Sequence, residues 1–111
     1  MHAQPILGAL IGQLLGRPNA AASAITERRR ARLERILVIL LEHGNVPRPT
    51  LAKLAESSPR TIGDDMAELG ATGMATTWTV ARGSAVIRWY GLTQAGVARA
   101  RELRSMEFSH A

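Results

Sequence analysis

Of the fourteen basic side chains in this 111-residue sequence, thirteen are arginine and one, Lys53, is lysine. A guanidinium is permanently charged and presents a planar fork of donors, which suits bidentate contacts to phosphate and to the edge of guanine. The same bias also follows from a G+C-rich genome, so residue type alone does not separate a chemical origin from a compositional one. Other chemistry is poorly served. His2, His43 and His110 stand alone, with no second ligand at metal spacing. Asp64 and Asp65 are adjacent on a helical stretch and diverge, so they do not make a working carboxylate pair. There is no cysteine, which removes disulfides, thiolate metal sites and thiol nucleophiles and fits a reducing, cytoplasmic setting. No phosphate-cradling glycine loop and no nucleophile beside a base is visible. These residues point away from an enzyme and from any cofactor, and toward a polyanionic partner.

Charge carries the same hint and locates it. Basic residues outnumber acidic ones 14 to 9, for a net +5, and the isoelectric point is near 11.3; nucleic acid is the first partner to expect. Residues 50–74 nevertheless hold Lys53 and Arg60 against Glu56, Asp64, Asp65 and Glu68, a net −2. Residues 27–48 and 75–111 each carry +3, and Arg17 supplies the rest. Apolar residues at 46 % and charged residues at 21 % describe a folded domain rather than a disordered chain. Aromatics are only 4 %, so Leu, Ile, Val, Met and Ala must build the core.

The elements that would position these side chains follow from periodicity. Residues 1–25 read as an apolar arm and linker. Within them Pro5 to Gly16 is an apolar run of 12 residues, short of the roughly 20 that cross a bilayer. It lacks the basic flank of a signal peptide, so no membrane association or secretion is expected. Gly8, Gly12 and Gly16 share one face if the arm is helical, either to admit a partner helix or to fold onto the arm's own domain. Arg17-Pro18-Asn19 breaks the arm, and Ala20 to Ala24 reads as a small-residue linker. Residues 26–106 form the main domain. Thr26 to His43 is a helix with Leu33, Ile36, Leu37, Leu40 and Leu41 on one face, capped by Thr26 and stopped at Gly44. Arg30 and Glu34 are spaced for an intrahelical pair. Asn45 to Pro49 is a loop, and Leu51 to Glu56 a short helix. Ser58 and Pro59 open a further helix, reaching about Thr72, with Ile62, Met66 and Leu69 inward. Thr76 to Ala81 and Ala85 to Leu92 form a β-hairpin around Arg82-Gly83-Ser84, in which Trp78 aligns with Trp89 or its neighbours, for packing or as a base-stacking platform. Thr93 caps a last helix to about Met106, with Val97, Ala100 and Leu103 inward, and 107–111 is a fraying tail.

The order α-α-α-β-β-α predicts a mainly α fold with a β-hairpin wing, a winged helix-turn-helix with an N-terminal arm. Leu51 to Met74, LAKLAESSPRTIGDDMAELGATGM, resembles without a gap the helix-turn-helix of bacterial winged-helix repressors of the DeoR type. Leu51-Ala52 fits the opening of that family's second helix, Ser58 its N-cap, and Thr61-Ile62, Asp65-Met66, Leu69 and Gly73 its later positions. Leu92-Thr93-Gln94-Ala95-Gly96 is similar to the Leu-Thr-x-x-Gly that leaves the wing in MarR-like regulators. Two departures stand out. The DeoR-type pattern carries Arg-Arg where this chain has Gly63-Asp64, and Gly in the turn where it has Glu56. Asp65 fits the pattern and is expected to be structural.

The resemblance implies a small, repressor-like transcriptional regulator that binds duplex DNA as a homodimer, with the arm or the first helix in the interface. Arg60, Thr61, Gly63 and Asp64 are then expected at the major groove, with Ser58 at the helix start. Thr61 would donate to phosphate, and Asp64 would accept from cytosine N4. Arg82 and Ser84 at the wing tip would approach the minor groove. Arg48, Arg88 and some of Arg28, Arg29 and Arg32 would hold phosphates. The length leaves no room for the sugar-phosphate-sensing domain of DeoR-type repressors, and no small-molecule effector is expected. The acidic third helix and the apolar arm support a second reading, a winged-helix protein-interaction module that does not bind DNA.

Overall fold

The computed structural model describes the backbone of residues 20–110 and the side chains of 26–106. The apolar run at Pro5 to Gly16, the break at Arg17 and His2 lie outside the described residues. The first helix, α1, spans Ala20–His43. It begins six residues before Thr26, so Thr26 does not cap it and Ala20 to Ala24 is helix rather than linker. The physical reason is propensity: small residues carry no apolar stripe, yet Ala is the best helix former. The chain divides into two units inside α1, between Ala31 and Arg32. In the first, Arg28, Arg29 and Arg30 are exposed, and Arg30 pairs with Glu27 rather than with Glu34.

In the second unit, Ile36, Leu37, Ile39 and Leu40 are the buried residues of α1. Gly44, at φ +77°, ends the helix, and its amide donates to the Leu40 carbonyl at 2.9 Å. The following segment is not simply a loop. Val46–Pro47 forms a short strand, β1, opposite Tyr90 and Trp89. Two residues are too few to show a strand period, and Pro47 is tolerated because β1 lies at a sheet edge. Helix α2 covers Arg48–Leu54, three residues earlier than the apolar pattern indicates, because Pro49 fits the first turn.

Helix α3, Pro59–Ala71, starts where the sequence places it: Ser58 Oγ accepts from the Thr61 amide. Ile62, Met66 and Leu69 are buried, and Gly73, at φ +78°, turns the chain out. Strands β2, Ala75–Arg82, and β3, Ala85–Leu92, pair antiparallel with Trp78 opposite Trp89 and Arg82 opposite Ala85. The sheet order is β1-β3-β2. Gly83 takes φ +60° in the two-residue connection, a conformation that favours glycine. Thr93 then caps α4, Gln94–His110: its Oγ1 accepts from the Gly96 amide and donates to the Gly73 carbonyl. Helix α4 thus starts at a side-chain cap, and it runs past Met106 to His110. Ala100 and Leu103 join the α1, α2 and α3 residues in one core, with Tyr90 as its largest side chain.

Candidate nucleic-acid interface

The exposed surface of α3 is short and mixed in charge. Arg60 and Asp64 face solvent, and Thr61 and Gly63 are half-buried. Ser58 and Thr61 are engaged with each other, since Ser58 Oγ also donates to Thr61 Oγ1 at 3.0 Å. Ser58, expected at the DNA surface, thus has a local capping role in this structure. The neighbouring Asp65 is fully buried. Arg32 of α1 donates to both of its carboxylate oxygens, through Nε at 2.6 Å and through a terminal nitrogen at 2.9 Å. Arg32 was expected to hold phosphate; its guanidinium is instead committed to Asp65. The pair raises the Arg32 pKa above its ordinary value, first through the hydrogen bonds with Asp65; burial opposes this, and the charges of Asp65 and Glu68 add to it.

The net −2 of residues 50–74 therefore overstates the acidity of this surface. Asp65 is neutralised internally by Arg32, and Glu56 faces Arg35 at 3.2 Å. Counting those two arginines with the block brings it to zero. What remains at the outer face of α3 is one exposed arginine and one exposed aspartate.

Beside α3 the wing adds cationic groups. Thr77, Arg88 and Tyr90 share one face of the hairpin, since Thr77 stands opposite Tyr90 and Arg88 lies two residues before it. With Arg48, Gly63 and Ala67 they line a groove of about 310 Å³. An adjoining groove of about 370 Å³ continues along Arg48, Pro49, Thr79, Val86 and Arg88. Arg48 Nε donates to the Tyr90 hydroxyl at 2.8 Å, and Arg88 donates to Thr77 Oγ1 at 3.4 Å. Arg82 and Ser84 are exposed at the tip. On the opposite face of the hairpin the Trp78 ring packs over Gly91, 3.2 Å from where a Cβ there would sit. Arg48 and Arg88 are thus brought to one groove, next to Gly63 and near Arg60 and Asp64. Arg28 and Arg29 belong to the other unit. Sequence reasoning missed Tyr90 as a support for Arg48; its only signal was a lone tyrosine two residues after an arginine in a strand.

No family model matches the chain, and no curated protein matches it. Solved structures do. A transcriptional regulator homologue from Pyrococcus horikoshii OT3 superposes with a TM-score of 0.60 at 20 % identity, over 73 % of this chain and 79 % of that one. An apo mutant of ZitR from Lactococcus lactis gives 0.63 at 21 % identity, over 94 % and 74 %. Wild-type ZitR in complex with DNA gives 0.57 at 20 % identity, over 70 % and 52 %. ZitR is described as a zinc-responsive MarR family member. At these identities the likeness shows the fold alone, a winged helix-turn-helix similar to that of these regulators.

Proposed function

We propose that this protein is a small transcriptional regulator, repressor-like and not an enzyme, acting in the cytoplasm as a homodimer on duplex DNA. The observation that carries the proposal is the groove beside α3, where Arg48 and Arg88 stand without a carboxylate partner among the described residues, in a fold shared with a DNA-bound regulator. In this reading Arg60, Thr61 and Asp64 meet the major groove, and Arg82 and Ser84 the adjacent minor groove. Arg48 and Arg88 hold backbone, with Arg28 and Arg29 as further phosphate contacts. Such contacts supply affinity and salt dependence, whereas base edges supply sequence choice. Zinc is not part of the proposal, because no three metal-ligating side chains come together among the described residues.

A salt titration with random-sequence duplex DNA tests it. Binding is expected in the micromolar range or tighter at about 50 mM salt, with log Kd rising linearly with log salt. No detectable binding at low salt overturns the proposal. That outcome favours the alternative of a protein-interaction module, which one observation supports: the wing exposes Trp78, Val80 and, at 70 %, Val86.

A further inference from the structure

Gly63 lies where α3 faces the wing, and the space beside it is filled by an arginine from another helix. A Cβ placed on Gly63 would sit 3.6 Å from the guanidinium carbon of Arg48, so a larger side chain there would need the room the guanidinium occupies. Arg48 reaches this position from the first residue of α2 and is held from behind. Its Nε donates to the hydroxyl of Tyr90, a side chain only 2 % exposed, and its guanidinium carbon lies 5.9 Å from the Tyr90 ring centre. Its two terminal nitrogens are left for a ligand. Arg88 stands across the same groove, and among the described residues its guanidinium is tied only to Thr77.

The described ion pairs of the second unit engage Arg32, Arg35 and Arg99. Arg48 and Arg88 take part in none of them, and no acidic side chain lines the grooves they share. Two permanent positive charges converging on one concave surface without a counter-ion suit an oxyanion that accepts from both, as phosphate does.

We infer that Arg48 and Arg88 form a single seat for one backbone phosphate of duplex DNA, and that a small residue at position 63 leaves Arg48 room to enter it. Arg48 then supplies from α2 the positive charge that positions 63 and 64 of α3 lack. The inference rests on the DNA-binding reading above and deepens it.

The test is fluorescence anisotropy of a labelled random duplex across a salt series, with thermal melts to verify folding. Arg48→Ala is expected to weaken binding uniformly across DNA sequences while nearly keeping the slope of log Kd against log salt, because Arg88 still neutralises the shared phosphate. Arg88→Ala should do the same, and only the double variant should lose about one from the slope, because both arginines serve one phosphate. Gly63→Leu retains every charge but takes the room of Arg48, and should reproduce the weaker binding of Arg48→Ala. Gly63→Ala, whose methyl stays at ordinary contact distance, should bind as the unaltered protein does. Unchanged affinity in Arg48→Ala or Gly63→Leu overturns the seat, as does a slope loss of about one in each single variant that doubles in the double variant. Inorganic phosphate should compete with DNA better than chloride at matched ionic strength, and that excess should vanish in Arg48→Ala. Phosphate binding that needs Arg48, with a DNA affinity that does not, would reassign the groove to a free phosphate ligand. If the unaltered protein binds no DNA, the underlying reading fails instead, before any variant is compared.

Discussion

Asp65 keeps only 1 % of its side chain exposed, and it is tolerable there because Arg32 meets both of its oxygens. The two partners are not equivalent. Arg32 retains 35 % exposure, so without Asp65 it can turn to water, whereas Asp65 has no such exit. Breaking a buried pair leaves the stranded charge as the main cost. Arg32→Ala is therefore expected to destabilise the protein by about 3–5 kcal/mol, and Asp65→Ala by clearly less, with the double variant recovering part of the Arg32→Ala loss. Urea unfolding of the three variants measures this, and equal costs for the two single variants would remove the asymmetry. The raised Arg32 pKa has a definite sign in pH dependence. Its stabilisation is complete below the ordinary arginine value and is lost only as pH rises through the raised one, so Arg32 titration adds no slope to stability at neutral pH.

At the scale of elements, the turn between α2 and α3 is the point of local strain. Glu56 holds φ +54° and is the sole non-glycine residue at positive φ among the described residues. This is where the DeoR-type pattern carries Gly, and the geometry explains that preference. A left-handed conformation costs an L-residue about 1–2 kcal/mol, while glycine adds back about 0.4–1 kcal/mol of unfolded-state freedom. The Arg35–Glu56 pair is largely exposed and contributes little. Glu56→Gly is expected to stabilise the fold by up to about 1.6 kcal/mol on these figures, read as a higher urea midpoint at unchanged slope; a lower midpoint would give Glu56 a tertiary role.

The same scale shows what was legible in the chain. Ser58, Gly73, Thr93 and the Ile62-Met66-Leu69 face are local signals, decided within four residues, and the structure places them as read. The misread side-chain partners are non-local. Glu34 stands one helical turn from Arg30 yet bonds Arg99, 65 positions away. Arg32 meets Asp65 33 positions on, and Arg48 meets Tyr90 42 positions on. Spacing cannot reveal such partners, so surface arginines and structural arginines looked alike. Of the expected phosphate contacts, Arg32 was the one the fold had already used.

For the molecule as a whole, the net +5 is less informative than its residue. Once the internal pairs are set aside, the second unit presents Arg48, Arg60, Arg82 and Arg88 around α3 and the wing, and Arg101 and Arg104 along a separate groove on α4. On the DNA-binding reading proposed above, one such surface would cover a single half-site and grip few phosphates, so selective binding would call for two copies. A two-fold pair would set its α3 helices about 34–36 Å apart, one turn of duplex, and read an inverted repeat. The apolar run Pro5 to Gly16 is the stretch of sequence that most needs a partner surface. Light scattering of the full chain is expected to give twice its 12.0 kDa, and deletion of residues 2–24 is expected to return the monomer mass and weaken DNA binding with it. A deletion variant that keeps the dimer mass would move the interface off the arm. A full chain that stays monomeric at concentrations where it binds DNA would replace the inverted repeat by a single asymmetric site.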